Sequence, residues 1–272
     1  MGPFREGQGI ATVSEHGAAD QWLGLLLAGA AVLAYLAGLP RLWRRGSAWP
    51  LSRLVWWVGG WLCVAVALAG PLAQRAHHDF VAHMATHVLV GMAAPLLLVS
   101  AAPVTLLLRV LPAARARPVA RARSSPLVAV LTHPLTATLL SVGGLWALYR
   151  TGLHAATHAD PWWRLVVTAH VLAAGYLFTY AVLGGPDPSP HRAPAAWRAG
   201  MSIAAIAAHN VLAKLLYAEP PPGVPTDQAQ QAGQLMYYGG APVELALVVL
   251  VCRTWPALSV SLGRGRKPPG RA

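Results

Sequence analysis

Acidic residues are scarce in this chain: nine Asp and Glu stand against twenty-one Lys and Arg, and charges of both signs make up only 11% of 272 positions. A water-soluble domain carries about a quarter charged residues, so an ordinary soluble globular protein is excluded. Cysteine is scarcer still. Cys63 and Cys252 both fall inside apolar runs, which leaves no disulfide framework, no CxxC redox pair and no thiolate-rich metal site. Internal repeats, low-complexity tracts and a separate soluble domain are also missing.

What is present is hydrocarbon: 56% hydrophobic residues and a mean hydropathy of +0.48. About 20 apolar residues span a bilayer as helix. Seven such runs can be marked, Gln21 to Leu39, Leu51 to Gly70, His83 to Leu108, Leu127 to Tyr149, Trp162 to Leu183, Trp197 to Tyr217 and Ala232 to Cys252. The connectors hold the breakers, among them Gly38-Leu39-Pro40, Leu111-Pro112, Gly184-Gly185-Pro186-Asp187-Pro188 and Pro220-Pro221-Pro222-Gly223. The expectation is an all-α membrane protein, a seven-transmembrane helix bundle. The first run lies too far along the chain, behind acidic residues, to resemble a cleaved signal peptide.

Charge orients the bundle. Loops after runs one, three and five, with the C-terminal tail, carry sixteen basic residues, including Arg41, Arg44, Arg45, Arg109, Arg115, Arg117, Arg121, Arg123, Arg192, Arg198 and Arg253. The other side has Arg5, Arg75, Arg150 and Arg164 and collects Glu6, Glu15, Asp20, Asp79, Asp160, Glu219 and Asp227. The positive-inside rule places the N-terminus outside and the C-terminus in the cytoplasm. Residues 1–20 then form a short external segment, 21–255 the transmembrane domain, and 256–272 a basic cytoplasmic tail. The pI of about 10.8 reflects this topology, so no nucleic-acid partner is expected.

Orientation sorts the histidines by depth. His77, His78, His83 and His87 crowd the outer end of run three, and His154 and His158 flank the next outer turn. His83 and His87, spaced i,i+4, share one helical face. At 1.5 Å per residue, His170 and His209 lie roughly 12 to 14 Å below the outer ends of their runs. Met236 occupies the outer turn of run seven. Imidazole and thioether without thiolate suit copper, and thioether especially suits the cuprous ion. The metal-ligand candidates are therefore His83, His87, His170, His209 and Met236, with His78, His154 and His158 nearer the surface.

Each of these residues also has an ordinary reading. A membrane histidine commonly bonds a neighbouring helix, the role expected of His133, while His16 and His191 read as solvated loop residues. Trp43, Trp49, Trp56, Trp57, Trp61, Trp162, Trp163, Trp197 and Trp255 cluster at run ends as an aromatic belt would. Glu244 and Lys214, the charges inside runs, are expected to snorkel or to pair with each other.

The stretch His83-Met84-Ala85-Thr86-His87 through Pro95-Leu96-Leu97-Leu98, followed by Ala102-Pro103, resembles the hallmark of the CtaG-like family of multi-pass cytochrome c oxidase assembly factors. Further landmarks occur in order: Leu131-Thr132-His133-Pro134, Leu153-His154 onward to His170, His209-Asn210-Val211-Leu212-Ala213-Lys214, and Gly233-Gln234-Leu235-Met236-Tyr237-Tyr238-Gly239-Gly240. The last two take the form seen in actinobacterial-type members, and the likeness covers roughly residues 20 to 255. One departure is Ala169, which precedes His170 where some members have an acidic residue.

The resemblance implies a non-enzymatic factor in the bacterial cytoplasmic membrane that supports copper insertion into a cytochrome c oxidase subunit from the outer side. Its partners would be that subunit, copper (as Cu+) and membrane lipid. Two rival readings stay open. Histidines on facing helices, such as His87 with His170 or His209, also suit axial ligation of haem in a b-type electron carrier. A copper permease needs ligands through the whole membrane, and only His133, Cys63 and Cys252 lie along the deeper path.

Overall fold

The computed structural model of the protein describes residues 7–254, apart from the side chains of 7–21, Leu23, His158 and Thr254. Arg5, Glu6, Trp255 and the expected tail 256–272 lie outside the described residues. Among the described residues every regular element is helical. In chain order they are α1 (Gly7–Arg44), α2 (Leu51–Leu68), α3 (Gly70–Arg75), α4 (Phe80–Ser100), α5 (Pro103–Val110), α6 (Ala113–Arg123), α7 (Pro126–Leu131), α8 (134–150), α9 (Leu153–Ala159), α10 (Pro161–Leu183), α11 (Ala195–Ala218) and α12 (Thr226–Arg253).

Six stretches are long and apolar enough to cross a membrane: Gly24–Arg44 within α1, and α2, α4, α10, α11 and α12. In hydrocarbon every backbone group must be satisfied within its own segment, which is why apolar runs of this length become helices. Their outward faces carry large apolar side chains, Leu26, Leu33, Leu62, Ile203 and Leu245 among them, as lipid contact requires. The first helix does not stop at Gly38-Leu39-Pro40 as expected. It continues through Pro40 to Arg44.

Two expected runs are broken. Run three ends at Ser100, because Pro103 cannot continue the hydrogen-bond ladder and Ala102 before it turns left-handed at φ 53°. The free N-terminus of α5 is capped by the buried Asp187, which accepts from Val104 N (3.0 Å), Thr105 N (2.7 Å) and Thr105 Oγ1 (2.5 Å). Run four, expected as one helix over 127–149, breaks at 132–134, where Pro134 holds His133 in extended conformation (φ −69°, ψ 131°). Thr132 donates to the Val128 carbonyl from both its backbone N (2.9 Å) and its Oγ1 (2.7 Å), closing the end of α7. His133 stands exposed at the break, its ring 6.4 Å from that of Trp197.

The interrupted segment joins the two ends of the bundle. Just before it, Arg123 donates to the Pro188 carbonyl; at its far end Arg150 Nη2 pairs with Glu219 Oε2 at 2.6 Å. We call these the arginine end and the histidine end. At the arginine end Arg198, counted above as a loop charge, is buried and donates from Nη1 to the Val182 and Leu183 carbonyls at 2.8 and 2.7 Å, completing the C-terminus of α10.

Three tryptophans expected in the belt instead lie between helices. Trp57 stacks on Tyr35 with centroids 4.8 Å apart and donates to the Ala31 carbonyl, Trp49 donates to Tyr35 Oη, and Trp61 packs edge-on against Trp57. Tyr35 Oη donates in turn to the Ala101 carbonyl at 2.8 Å, holding α1 and α2 against the break that ends α4.

Three wide π-helical turns, Val88–Ala93 in α4, Leu139–Gly143 in α8 and Leu235–Gly239 in α12, each contain a glycine. Where α4 meets α10 the backbones nearly touch. A Cβ on Gly175 would lie 2.4 Å from the Gly91 carbonyl oxygen, so only glycine allows that approach.

Candidate functional site

At the histidine end Asp79 caps α4, its Oδ1 accepting from Val81 N at 2.7 Å, while Gln228 Oε1 of α12 accepts from Phe80 N at 2.9 Å. This fixes the start of α4, and His83 and His87 follow one turn apart on one face. They nevertheless join different groups.

His87 points inward and is 6% exposed, and neither of its ring nitrogens has a hydrogen-bond partner. Its ring faces that of His209 on α11, with centroids 5.9 Å apart. His209 Nδ1 lies 2.8 Å from Glu244 Oε1 of α12, within ion-pair distance although not aligned as a hydrogen bond. Asn210 Nδ2 donates to the other carboxylate oxygen at 3.1 Å and so holds it in place. A carboxylate on Nδ1 favours the tautomer that leaves Nε2 to a ligand. Leaving a buried polar group unpaired costs about 1–3 kcal/mol, which makes His87 a poor choice for packing alone.

A cavity of about 70 Å³ lies between α4, α8, α10, α11 and α12 and is lined by His87, Met92, His170, His209 and Glu244. His170, itself largely exposed, donates from Nε2 to the Leu140 carbonyl at 3.1 Å, which leaves Nδ1 as its lone-pair nitrogen. Each of the three histidines sits against a glycine. An added Cβ would lie 3.0 Å from His87 Nδ1 at Gly91, 2.6 Å from His170 Nε2 at Gly144, and 3.3 Å from His209 Cε1 at Gly240. The same point at Gly240 is 3.4 Å from Met92 Sδ, so thioether and imidazole are neighbours there.

Closer to the histidine end, His83 stacks on Phe80 (5.7 Å, 9°), stands edge-on to His154 at 5.1 Å, and has Nε2 3.2 Å from Tyr149 Oη. Arg164 Nη1 donates to His77 Nδ1 at 3.0 Å. A second cavity, of about 180 Å³, reaches from His77 and Arg164 past His83 and Tyr149 to His87.

The expected ligand set is thus partly assembled. His87, His170 and His209 line one cavity, His83 and His154 meet each other, and His78 is exposed with its ring 6.2 Å from that of His77. Met236 is fully buried among Phe80, Met84, Leu212 and Leu216 in an apolar cluster, away from the cavity. The side chain of His158 lies outside the described residues. Glu244 does not pair with Lys214, whose ammonium instead lies 5.4 Å over the Tyr237 ring. The sequence reasoning missed Met92, Asn210 and the true partner of Glu244; an acid inside an apolar run was the available signal. Among the described residues no three His, Cys, Asp or Glu side chains are grouped to hold one ion. Two imidazoles with a nearby thioether therefore offer few ligands, two borderline and one soft.

Residues 33–257 match the model of the cytochrome c oxidase caa3 assembly factor family. Uncharacterized proteins of Mycobacterium leprae and Mycobacterium bovis are 36% and 37% identical to this chain over 186 residues. Those matches cover 65% of this chain and 28% of the relatives' own length, so the chain corresponds to less than a third of each. No solved structure matches.

Proposed function

The chain belongs to the cytochrome c oxidase caa3 assembly factor family, and from that premise we propose that it holds cuprous ion and releases it to an oxidase subunit at the outer face of the bacterial cytoplasmic membrane. It acts as a carrier of cargo, without catalysis. In this reading the interrupted segment 126–150 is a seventh crossing, the histidine end faces outward, and the chain begins outside and ends in the cytoplasm.

The observation that carries the reading is His87, a buried imidazole with two unpartnered nitrogens facing His209. With metal–nitrogen bonds of about 2.0–2.1 Å, one ion bridges two rings at that separation after a small rotation. Met92 supplies a soft third contact, and Glu244 with Asn210 orients His209. Few ligands and no closed cage permit release, which delivery requires.

The test is metal and pigment analysis of the purified protein, paired with oxidase activity in a deletion strain. Copper without haem, and an activity loss greater than the loss of oxidase subunits that added copper partly restores, are expected. Stoichiometric haem with a Soret band, and a defect that persists at every tolerated copper level, would replace this reading with the electron carrier. Copper uptake into sealed vesicles would replace it with the permease.

A further inference from the structure

The two cavities at the histidine end are separate spaces with a shared wall. His87 and Val171 line both. On one side of His87 lie His209 and Met92; on the other, one helical turn away, lies the aromatic box of Phe80, His83, Tyr149 and His154. The box has a chemistry of its own. His83 and His154 come from α4 and from the short α9, and their rings approach to 5.1 Å, closer than the 5.9 Å between His87 and His209. The Tyr149 hydroxyl, 3.2 Å from His83 Nε2, holds that ring in place, and the Thr157 hydroxyl donates to the His154 carbonyl at 2.7 Å.

We propose that copper moves through two sites in series: a receiving site at His83 and His154, then the buried site at His87, His209 and Met92, with His87 as the ligand that passes the ion between them. This rests on the copper reading above. The ion stays cuprous throughout, and no electron is transferred. At each step the incoming imidazole binds before an outgoing one leaves, and the Met92 thioether adds a third contact only at the buried site, so no bare ion crosses the apolar wall. At the mouth of the larger cavity the Arg164 guanidinium stands beside His77, and no lining residue among the described side chains is acidic. The mouth therefore disfavours a free cation and favours copper presented as an anionic complex, which yields the ion to the first imidazole pair.

The experiment uses full-length protein in detergent and a coloured anionic cuprous chelate, whose absorbance reports loading and, when more chelate is added, release. Wild-type protein is expected to take up two copper ions per chain and to release them in a fast and a slow phase. H209A should lose the slow phase and keep the fast one. H83A/H154A should lose the fast phase and load the remaining site at least tenfold more slowly. If that double variant loads the buried site at the wild-type rate, serial transfer is overturned while copper binding stands. If the wild-type protein binds no copper, the copper reading itself falls. Should H83A/H154A fail to fold, H83Q/H154Q, which keeps side-chain bulk and hydrogen bonding, takes its place with the same two outcomes.

Discussion

His87 and His209 face each other from α4 and α11 with ring centroids 5.9 Å apart, both nearly inaccessible, and the nitrogens of His87 bond to nothing. Packing alone gives no reason for that arrangement, since a leucine of similar size would fill the space without leaving a polar group dry.

Replacing His87 with Leu is expected to stabilise the metal-free protein by about 1–3 kcal/mol, because a buried unpaired group is removed. Thermal unfolding in detergent without copper would show a higher midpoint, and the same variant would lose the slowly released copper of the buried site while keeping that held at His83 and His154. A lower midpoint would mean that His87 has a structural partner.

Glu244→Gln keeps the shape of the side chain and an oxygen for Asn210 but removes the charge beside His209. Loss of an orienting carboxylate typically weakens a metal ligand by about 10–100-fold. Competition with a cuprous chelate should show that weakening with unchanged stoichiometry, while the unfolding midpoint stays close to that of the parent. Equal losses of affinity and stability would assign Glu244 to the fold alone.

Gly175→Ala and Gly143→Ala form a matched pair. The first places a Cβ 2.4 Å from the Gly91 carbonyl oxygen and must separate α4 from α10; the second meets nothing within 4 Å. Overpacking should destabilise G175A by about 1–3 kcal/mol, whereas G143A should be neutral or gain from the better helix former. Unfolding midpoints of the two variants decide the matter.

Topology follows from whether residues 126–150 cross. Between α6 and the Pro220–Asp227 loop lie that segment, α10 and α11. A reporter placed within Ala113–Arg123 should read as cytoplasmic and one at Gly223 as external. Both on the same side would mean that the interrupted segment does not cross, and the outward assignment of the histidines would go with it.

Residue order alone was enough to locate six of the seven expected apolar runs as helices long enough to cross a membrane, to gather most basic residues at one end and most histidines at the other, and to carry the resemblance that the family match supports. Those properties belong to stretches of chain, since apolar length and charge position do not depend on which way a helix is turned. Contacts across the bundle do depend on it. Each π turn adds a residue and rotates the following side chains by about 100° relative to an unbroken helix. His83 and His87 both precede the π turn of α4, so i,i+4 spacing put them on one face, but their different partners were set by which helices pack there, α8 and α9 against His83 and α11 against His87. Met92 lies within the π turn of α4 and lines the cavity, whereas Met236 stands at the start of the turn in α12 and joins the apolar core. Glu244 shows the same division: its cost inside an apolar run was plain from the residues, but only the packing of α12 against α11 decided that His209, and not Lys214, answers its charge.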